Sequence, residues 1–487
     1  MKKNVTSGAA LLLASILISV LASCGGSAAQ NPSAETAGED NAPVTEAVTE
    51  EQKPDHLDSL GEYDFGGKDF NMLVRQSRMS SVMTDEAIGE VYNDAVFNRN
   101  SKIAERFNIK FTAMPLEDVG ATWNKQISSS VMANDGAYDV VMPDYWWGCE
   151  TGGYFLNMLD YSSIMDFKQP WWCAGWNDSA EIYGQMYSAV GSLCMDLYSN
   201  AICVFFNKNL INGFDMESPY ELVDSRKWTI DKMMEMAMQV GGDFNGDGVL
   251  NLDDDRYGAF YDLQSGRALF ASCGWKTATK TADGAYAYEF WGDEFVALYD
   301  RIYSIINESD YVAYNSGNAQ NAFRTDRLLF LCQGMGVAAA LRDMESDFGI
   351  VPYPLYNDAQ ENYITYNFGT FYLAIPKSAS DPEMSAVILE ALNAESYNTV
   401  KDAYYEVNMK EKFSRDENTQ RMLDIIVDTT YFDFTFVNES ATDHIVMYFF
   451  DQVTQKNHSI ASAYEKKING YQKKLDKLFE TYAAGIE

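Results

Sequence analysis

The chain has 487 residues and sets 36 Lys and Arg against 71 Asp and Glu, a formal charge of −35. Acidity on that scale repels phosphate backbones and anionic lipid surfaces, which excludes nucleic acid as a partner and says little about a neutral ligand. Three histidines (His56, His444 and His458) and seven cysteines with no CxxC pair offer little for a Ser-His-Asp or Cys-His enzyme, or for a His-rich metal site.

Lys2 and Lys3 precede the apolar run 9–21, and Leu21, Ala22 and Ser23 lead into Cys24. A basic end, a short apolar segment and small residues at a cleavage point read as a secretory signal, too short to span a bilayer convincingly. The LASC run resembles the bacterial lipoprotein processing box. That resemblance implies that 1–23 is removed and that Cys24 carries a lipid on the extracytoplasmic face of the cell membrane; the alternative is a plain signal followed by chance by Cys. Loss of Lys2 and Lys3 takes the formal charge from −35 to −37. The segment 24–60 is mostly Ala, Glu, Thr, Ser, Asn and Pro and reads as a disordered acidic tether, about 30 Å in reach. Most of the other cysteines, Cys149, Cys173, Cys194, Cys203, Cys273 and Cys332, sit in apolar runs and read as buried free thiols; the alternative is that they pair as disulfides outside the cell.

The stretch 70–75 reads as a strand and the polar 76–84 as the loop after it, with Arg78 a weak site candidate. Tyr92, Val96, Ile103 and Phe107 fall at helical spacing and predict an amphipathic helix over 86–107. A second strand is expected at 109–113. Val119, Trp123, Ile127 and Val131 recur every four residues and mark a second helix. The run 139–142, bounded by Asp135-Gly136 and Pro143, is a third strand. This βαβαβ order begins a doubly wound parallel sheet and puts loops 76–84 and 144–148 on the carboxyl rim, where such sheets bind ligands. Asp144, Tyr145, Trp146 and Trp147 occupy that rim. Adjacent tryptophans taken alone read as core; at a rim they read as a stacking platform for pyranose rings, with Asp144 accepting hydroxyls.

Farther along, 185–190 reads as a strand leaving the first lobe, and 198–206, YSNAICVFF, as an extended run ending in Asn207-Lys208. A strand into an aromatic loop, then a small-residue crossing strand ending in FNK, resembles the extracellular solute-binding proteins of the maltose-binding type, called family 1. The resemblance implies an α/β, two-lobed type II periplasmic-binding-protein fold, each lobe a mostly parallel sheet flanked by helices, joined by a multi-crossing hinge. The expected lobes are 61–190 with 360–395, and 191–359 with 396–487. It also implies ligand contacts at Tyr198, Ser199 and Asn200 in one crossing, at Asn367 and Phe368 in another, and at Trp275 in the second-lobe wall after Asp262 and Gln264. Arg342 and Asp343 are weaker candidates.

Between these, Ile230, Met233, Met234 and Ala237 share one face of a helix over 228–240, and the Met stripe reads as core. The run 243–254, DFNGDGVLNLDD, matches a calcium loop: Asp243, Asn245 and Asp247, Gly248 at the turn, the Val249 carbonyl, Asn251, and Asp254 where Glu is usual. A structural Ca2+ there would relieve repulsion between the carboxylates; the alternative is an empty Asn/Asp/Gly turn. No catalytic cofactor is implied. Phe295, Leu298, Tyr299, Ile302 and Ile306 mark a core helix, 336–340 a buried strand, and 348–354 a strand whose prolines suit an exit into a crossing. A strand at 367–376 then returns, Asp381 caps a Pro382-led helix, and Tyr464, Ile468, Tyr471, Leu475 and Leu478 place an amphipathic helix on the outside of the second lobe.

These readings predict a monomeric, lipid-anchored receptor, not an enzyme, that closes two lobes on a carbohydrate and hands it to the permease subunits of an ABC importer. The rivals are a peptide or polyamine receptor of the same fold, an extracellular carbohydrate-active enzyme, which needs a spaced carboxylate pair, and a calcium-dependent surface adhesin.

Overall fold

The computed structural model describes residues 56–405, 407 and 417–483, so the predicted signal, Cys24 and all but the last residues of the tether lie outside the described residues. From Pro54 onward the chain is one unit built on two sheets. The tether ends earlier than expected. His56–Leu60 forms a 3-10 turn that buries Leu57 and packs on the helix Pro382–Glu395.

In the first sheet β1 (Lys68–Arg75), β2 (Ile109–Leu116) and β3 (Val140–Val141) are parallel, in the order β2-β1-β3. Pro115 sits in β2, an edge strand, where a missing N–H breaks no ladder. The connecting helices are Val91–Phe107 and Gly120–Ala133, ended by the left-handed Asn108 and Asn134. The first starts later than its apolar spacing predicts because the Asp94 carboxylate binds the N–H groups of Ile88 and Gly89 and holds that approach in a turn. The predicted loop 76–84 is largely helical, as Gln76–Arg78 and Met79–Val82, with Ser81 and Val82 buried. Its end carbonyls, Ser81 O and Val82 O, accept from the buried Arg99 and Asn100. An antiparallel return segment widens the sheet, through bridges Val141↔Ala374 and Asp144↔Phe371 and, on the other side, Ala189↔Leu373. The predicted strand 185–190 amounts to isolated bridges, because the positive-φ pair Tyr183 and Gly184 folds Gln185 back on Ile182.

The second sheet holds β4 (Ile202–Asn207), β5 (Tyr257–Tyr261), β8 (Val312–Tyr314), β9 (Leu328–Gly334) and β10 (Phe348–Val351), in the order β10-β4-β9-β5-β8. The short strands β6 (Thr279–Lys280) and β7 (Tyr286–Ala287) form a separate hairpin. The strand expected at 336–340 is instead the helical stretch Met335–Val337 and Ala338–Leu341. Consecutive alanines favour helix, and the Leu-rich run just before them is the strand β9. On the helix Ile230–Val240 Met233, Met234 and Met236 are buried core residues.

Three crossings join the sheets. Asn367 bridges Ala201 just before β4, and β11 (Thr365–Tyr366) pairs with β12 (Thr430–Tyr431). The crossing expected at 348–354 does not begin there: Pro352 O accepts from Trp228 Nε1 and Leu355 bridges Thr229, which keeps this stretch on the second sheet until residue 365. After β12 the chain serves both sides. Phe434–Val437 packs on the helix Ala174–Ala180 and Glu439–Thr442 on Tyr145–Trp147, while Ile445–Thr454 packs on Leu263–Ser272 and Asp293–Asn307. The final helix Ile460–Ala483 covers Glu439–Thr442 and buries Tyr471, Leu475 and Leu478. The six described cysteines are free thiols, five of them buried and Cys273 partly so.

Candidate ligand site

β1 and β3 deliver Arg75 and Asp144 to the carboxyl rim of the first sheet. Asp144 caps the 3-10 turn Tyr145–Trp147: its Oδ1 accepts from Trp146 N at 3.0 Å and its Oδ2 from Arg75 Nη1. Arg75 also reaches Asp118 at 3.4 Å and lies over the Trp147 ring, 5.0 Å from its centroid. Next to them Arg78 binds Asp196 through Nε at 2.8 Å. Burial pushes the carboxyls of Asp144 and Asp196 up from the ordinary range, and Arg78, Arg75 and the Trp146 N–H offset it in part. Each carboxylate is thus paired with a guanidinium, which leaves hydrogen-bonding groups at the rim with their opposite charges offset.

The turn divides its aromatics. Tyr145 is 1% exposed, stacks on Phe436 with ring centroids 4.5 Å apart, and gives its hydroxyl to Phe368 O at 3.1 Å. Trp147 is half-buried against Trp123, 5.4 Å away. Trp146 alone of the three is exposed, at 39%, with the His444 ring 5.1 Å from its own. The expected platform of three rings is thus one open indole, backed by two packed rings.

The crossing residues fix the backbone where the sheets meet. Asn367 is buried, donates from Nδ2 to Asp196 O at 3.2 Å and Leu197 O at 2.9 Å, and accepts from Gly369 N at 3.0 Å. Tyr198 is buried and donates to Ser192 Oγ at 2.8 Å. Asn200 Nδ2 donates to Gly369 O at 2.7 Å, Ser199 Oγ to Asn200 Oδ1 at 3.3 Å, and Phe368 N to Asn200 O at 3.3 Å. Gly369 has φ +154°, and a Cβ there would meet Tyr145 Cε1 at 2.8 Å, so only glycine lets the second crossing pass this ring.

Trp275 stands apart from this rim. It is 9% exposed and packs among Phe270, Phe295 and Phe449, beside a separate cavity of about 610 Å³ shared with Phe290 and Tyr356. Arg342 and Asp343 form an exposed local pair at 4.0 Å. The 243–254 loop is a run of Asx turns. Asp243 accepts from Gly246 N and Gly248 N, Asn245 from Asp247 N, and Asp247 from Val249 N, while Asn251 accepts from Asp253 N and Asp254 N. The buried Asp255, one position beyond Asp254, accepts from Phe244 N, Asn245 N and Asn251 N and ties the loop together. Among the described residues no three His, Cys, Asp or Glu side chains gather into a cation-holding group.

Several residues at the rim carried no site signal in the sequence. Arg75 ends a strand whose carboxyl end was already marked, so the same topological rule points to it. Glu439 and His444 arrive from a stretch with no sequence motif, and His444 Nδ1 lies 3.2 Å from Glu439 Oε1. That contact raises the His444 pKa above its ordinary value, while burial raises that of Glu439. Arg267 enters from the helix Leu263–Ser272, capped by Asp262, with Asp451 3.5 Å away.

No family model and no curated protein matches the chain. Solved structures do. A sugar transporter from Rhizobium etli in an open conformation is 14% identical over 85% of this chain and 99% of its own, with a TM-score of 0.55. The sugar-binding protein MalE from the phytopathogen Xanthomonas citri is 14% identical over 85% and 98%, TM-score 0.54. An ABC substrate-binding protein from Listeria monocytogenes, in complex with cycloalternan, is 11% identical over 86% and 99%, TM-score 0.51. The chain has their fold, that of the type II periplasmic binding proteins.

Proposed function

We propose that this protein is a carbohydrate receptor that takes an oligosaccharide at the rim where its two sheets meet. The observation that carries the reading is Trp146, an open indole face set beside the Arg75–Asp144 and Arg78–Asp196 pairs. An aromatic face stacks on the apolar face of a pyranose, and planar polar groups held in place select the orientation of its hydroxyls. The sugar-binding protein MalE from Xanthomonas citri and the Listeria monocytogenes protein in complex with cycloalternan, which share the fold, support the same ligand class. Because Asp144 and Asp196 are each paired with an arginine, a polyamine finds little free negative charge beside Trp146, which favours the sugar over that rival.

Under this reading the crossings at Ala201, Asn367 and Thr430 act as the hinge that closes on the ligand, by the population shift that any differential contact produces. Cys24 serves as a lipid anchor, and delivery is to an ABC permease. The test is a thermal-shift screen of the full chain against mono- and oligosaccharides, peptides and polyamines. A midpoint that rises with the concentration of one saccharide class supports the receptor. A rise with peptides or polyamines alone keeps the fold and removes the ligand, and release of reducing ends from polysaccharide replaces the receptor with an enzyme.

A further inference from the structure

The ring of His444 lies 5.1 Å from that of Trp146 and is tilted 34° to it. Trp146 is 39% exposed and the His444 side chain 45%. The backbone that holds His444 there is unusual. Asp443 and His444 follow one another with φ +60° and ψ +36°, both in the left-handed region. Few residues other than glycine take that conformation, and two in succession persist only where surrounding contacts impose them. Those contacts are present. Lys474 Nζ, from the final helix, donates to Asp443 Oδ1 at 2.7 Å. His444 N donates to Glu439 O at 3.2 Å, and His444 O accepts from Met447 N at 3.1 Å where the helix Ile445–Thr454 begins. The ring is held as firmly. Nδ1 is buried and lies 3.2 Å from Oε1 of Glu439, whose side chain is 0% exposed. The exposure of His444 therefore falls on the rest of its side chain, which includes Nε2. A carboxylate facing Nδ1 keeps a proton on that nitrogen and leaves Nε2 as the one that meets a partner from outside.

We infer that His444 is a further ligand contact, meeting through Nε2 a hydroxyl of the sugar unit held against Trp146, with Glu439 as the residue that positions it. The two rings touch, so a unit resting on the exposed part of one is within reach of the other. With Nδ1 protonated, Nε2 accepts from a hydroxyl when the imidazole is neutral and donates to it when the imidazole is charged; a hydroxyl answers both states. An apolar ring in this place would add stacking area alone, whereas the imidazole sets a polar point beside the indole that distinguishes one hydroxyl orientation from another. A ring so exposed adds little to folding, so packing does not account for the strained turn that carries it. This rests on the carbohydrate reading above and adds a residue to that site.

The test uses the full chain with isotope-labelled histidine, read by its ring-nitrogen resonances, and the saccharide that raises the midpoint most in the thermal screen. The chain has three histidines, so the His444 signals are assigned through His56→Gln and His458→Gln variants that leave His444 untouched. At saturation the Nε2 signal of His444 should shift while those of His56 and His458 stay; the His458 ring packs instead on Tyr303, 3.9 Å away. Calorimetry should find about tenfold weaker binding in His444→Asn, the size of one lost hydrogen bond. Asn tolerates the left-handed backbone, so the turn survives. Because that variant leaves Glu439 buried without its partner, the double variant His444→Asn with Glu439→Gln is measured beside it and should show the same loss. Glu439→Gln alone should weaken binding less and, without ligand, move the Nε2 signal, since Nδ1 no longer faces a carboxylate. An unmoved signal in that variant removes Glu439 from the positioning role. A wild-type His444 signal that stays in place at saturation, or wild-type affinity in the folded double variant, overturns the contact and leaves the receptor standing. A wild type that binds no saccharide in the screen overturns the receptor reading itself.

Discussion

Neighbouring residues of one turn have opposite fates here. Asp144 caps the turn through Trp146 N, which sends the Tyr145 ring inward onto Phe436 and leaves the next indole open. The strand order marked 144–147 as a rim, but the direction of each ring depends on a cap and on a partner almost 300 residues away, neither visible in local spacing. Trp146→Ala should therefore weaken saccharide binding at least tenfold, about 1.4 kcal/mol, while the urea midpoint of the free protein barely moves, because an exposed ring contributes little to folding. Calorimetry with the screened sugar checks the first part and urea denaturation the second. Intact affinity takes Trp146 out of the site. Arg267, Glu439 and His444 were illegible for the same reason: nothing in the sequence says that Glu439–Thr442 packs on Tyr145–Trp147 or that Leu263–Ser272 packs on Ile445–Thr454.

Legibility changes at the scale of elements. Helices with apolar residues every three or four positions were read correctly, and so was the Asp381 cap, whose side chain accepts from Met384 N at 3.1 Å. The failures were short segments whose state is set by distant partners. The Ala-rich 336–340 went helical beside a strand, and 76–84 folded around Arg99. The crossing at Asn367 was marked as a ligand contact, but its side chain is fully spent on backbone. Removing it strands the buried carbonyl of Leu197 and the N–H of Gly369, while the carbonyl of Asp196 keeps its bond from Asn200 N at 3.0 Å. Asn367→Ala is thus expected to destabilise the protein by about 2–4 kcal/mol, because the two stranded groups are left unmet. A urea midpoint equal to that of the wild type would mean that the crossing does not depend on this side chain.

For the whole molecule, alternation of strand and helix from Lys68 to Val141 was enough to orient the first sheet and to mark its rim, since topology alone fixes which strand ends face a ligand. The C-terminal arm was not readable in the same way, because its short helices pack on both sheets and belong to neither pattern. Glu150 ties that arm to the first sheet. It is buried, its Oε2 accepts from Tyr372 Oη at 3.0 Å, and its Oε1 accepts from Ser440 Oγ at 3.5 Å on the helix that also carries Glu439. Burial pushes its carboxyl up from 4.5 to about 7, more than the two hydroxyl donors pull it down. A folded pKa above the unfolded one means that the protonated group is favoured in the native state. Its contribution is full below about pH 4.5 and is lost as pH rises through about 7. Glu150→Gln keeps the shape and removes the titration. Stability measured by urea denaturation from pH 4.5 to 8 should therefore fall more steeply in the wild type than in the variant, by about 3 kcal/mol over the window. Other carboxyls raised by burial, such as Glu390, are common to both proteins and cancel in the difference. Because Ser440 and Glu439 share a helix, the same rise in pH should loosen the wild-type site and not that of Glu150→Gln. Saccharide affinity that declines in parallel in both proteins would show that the arm is held to the first sheet independently of Glu150.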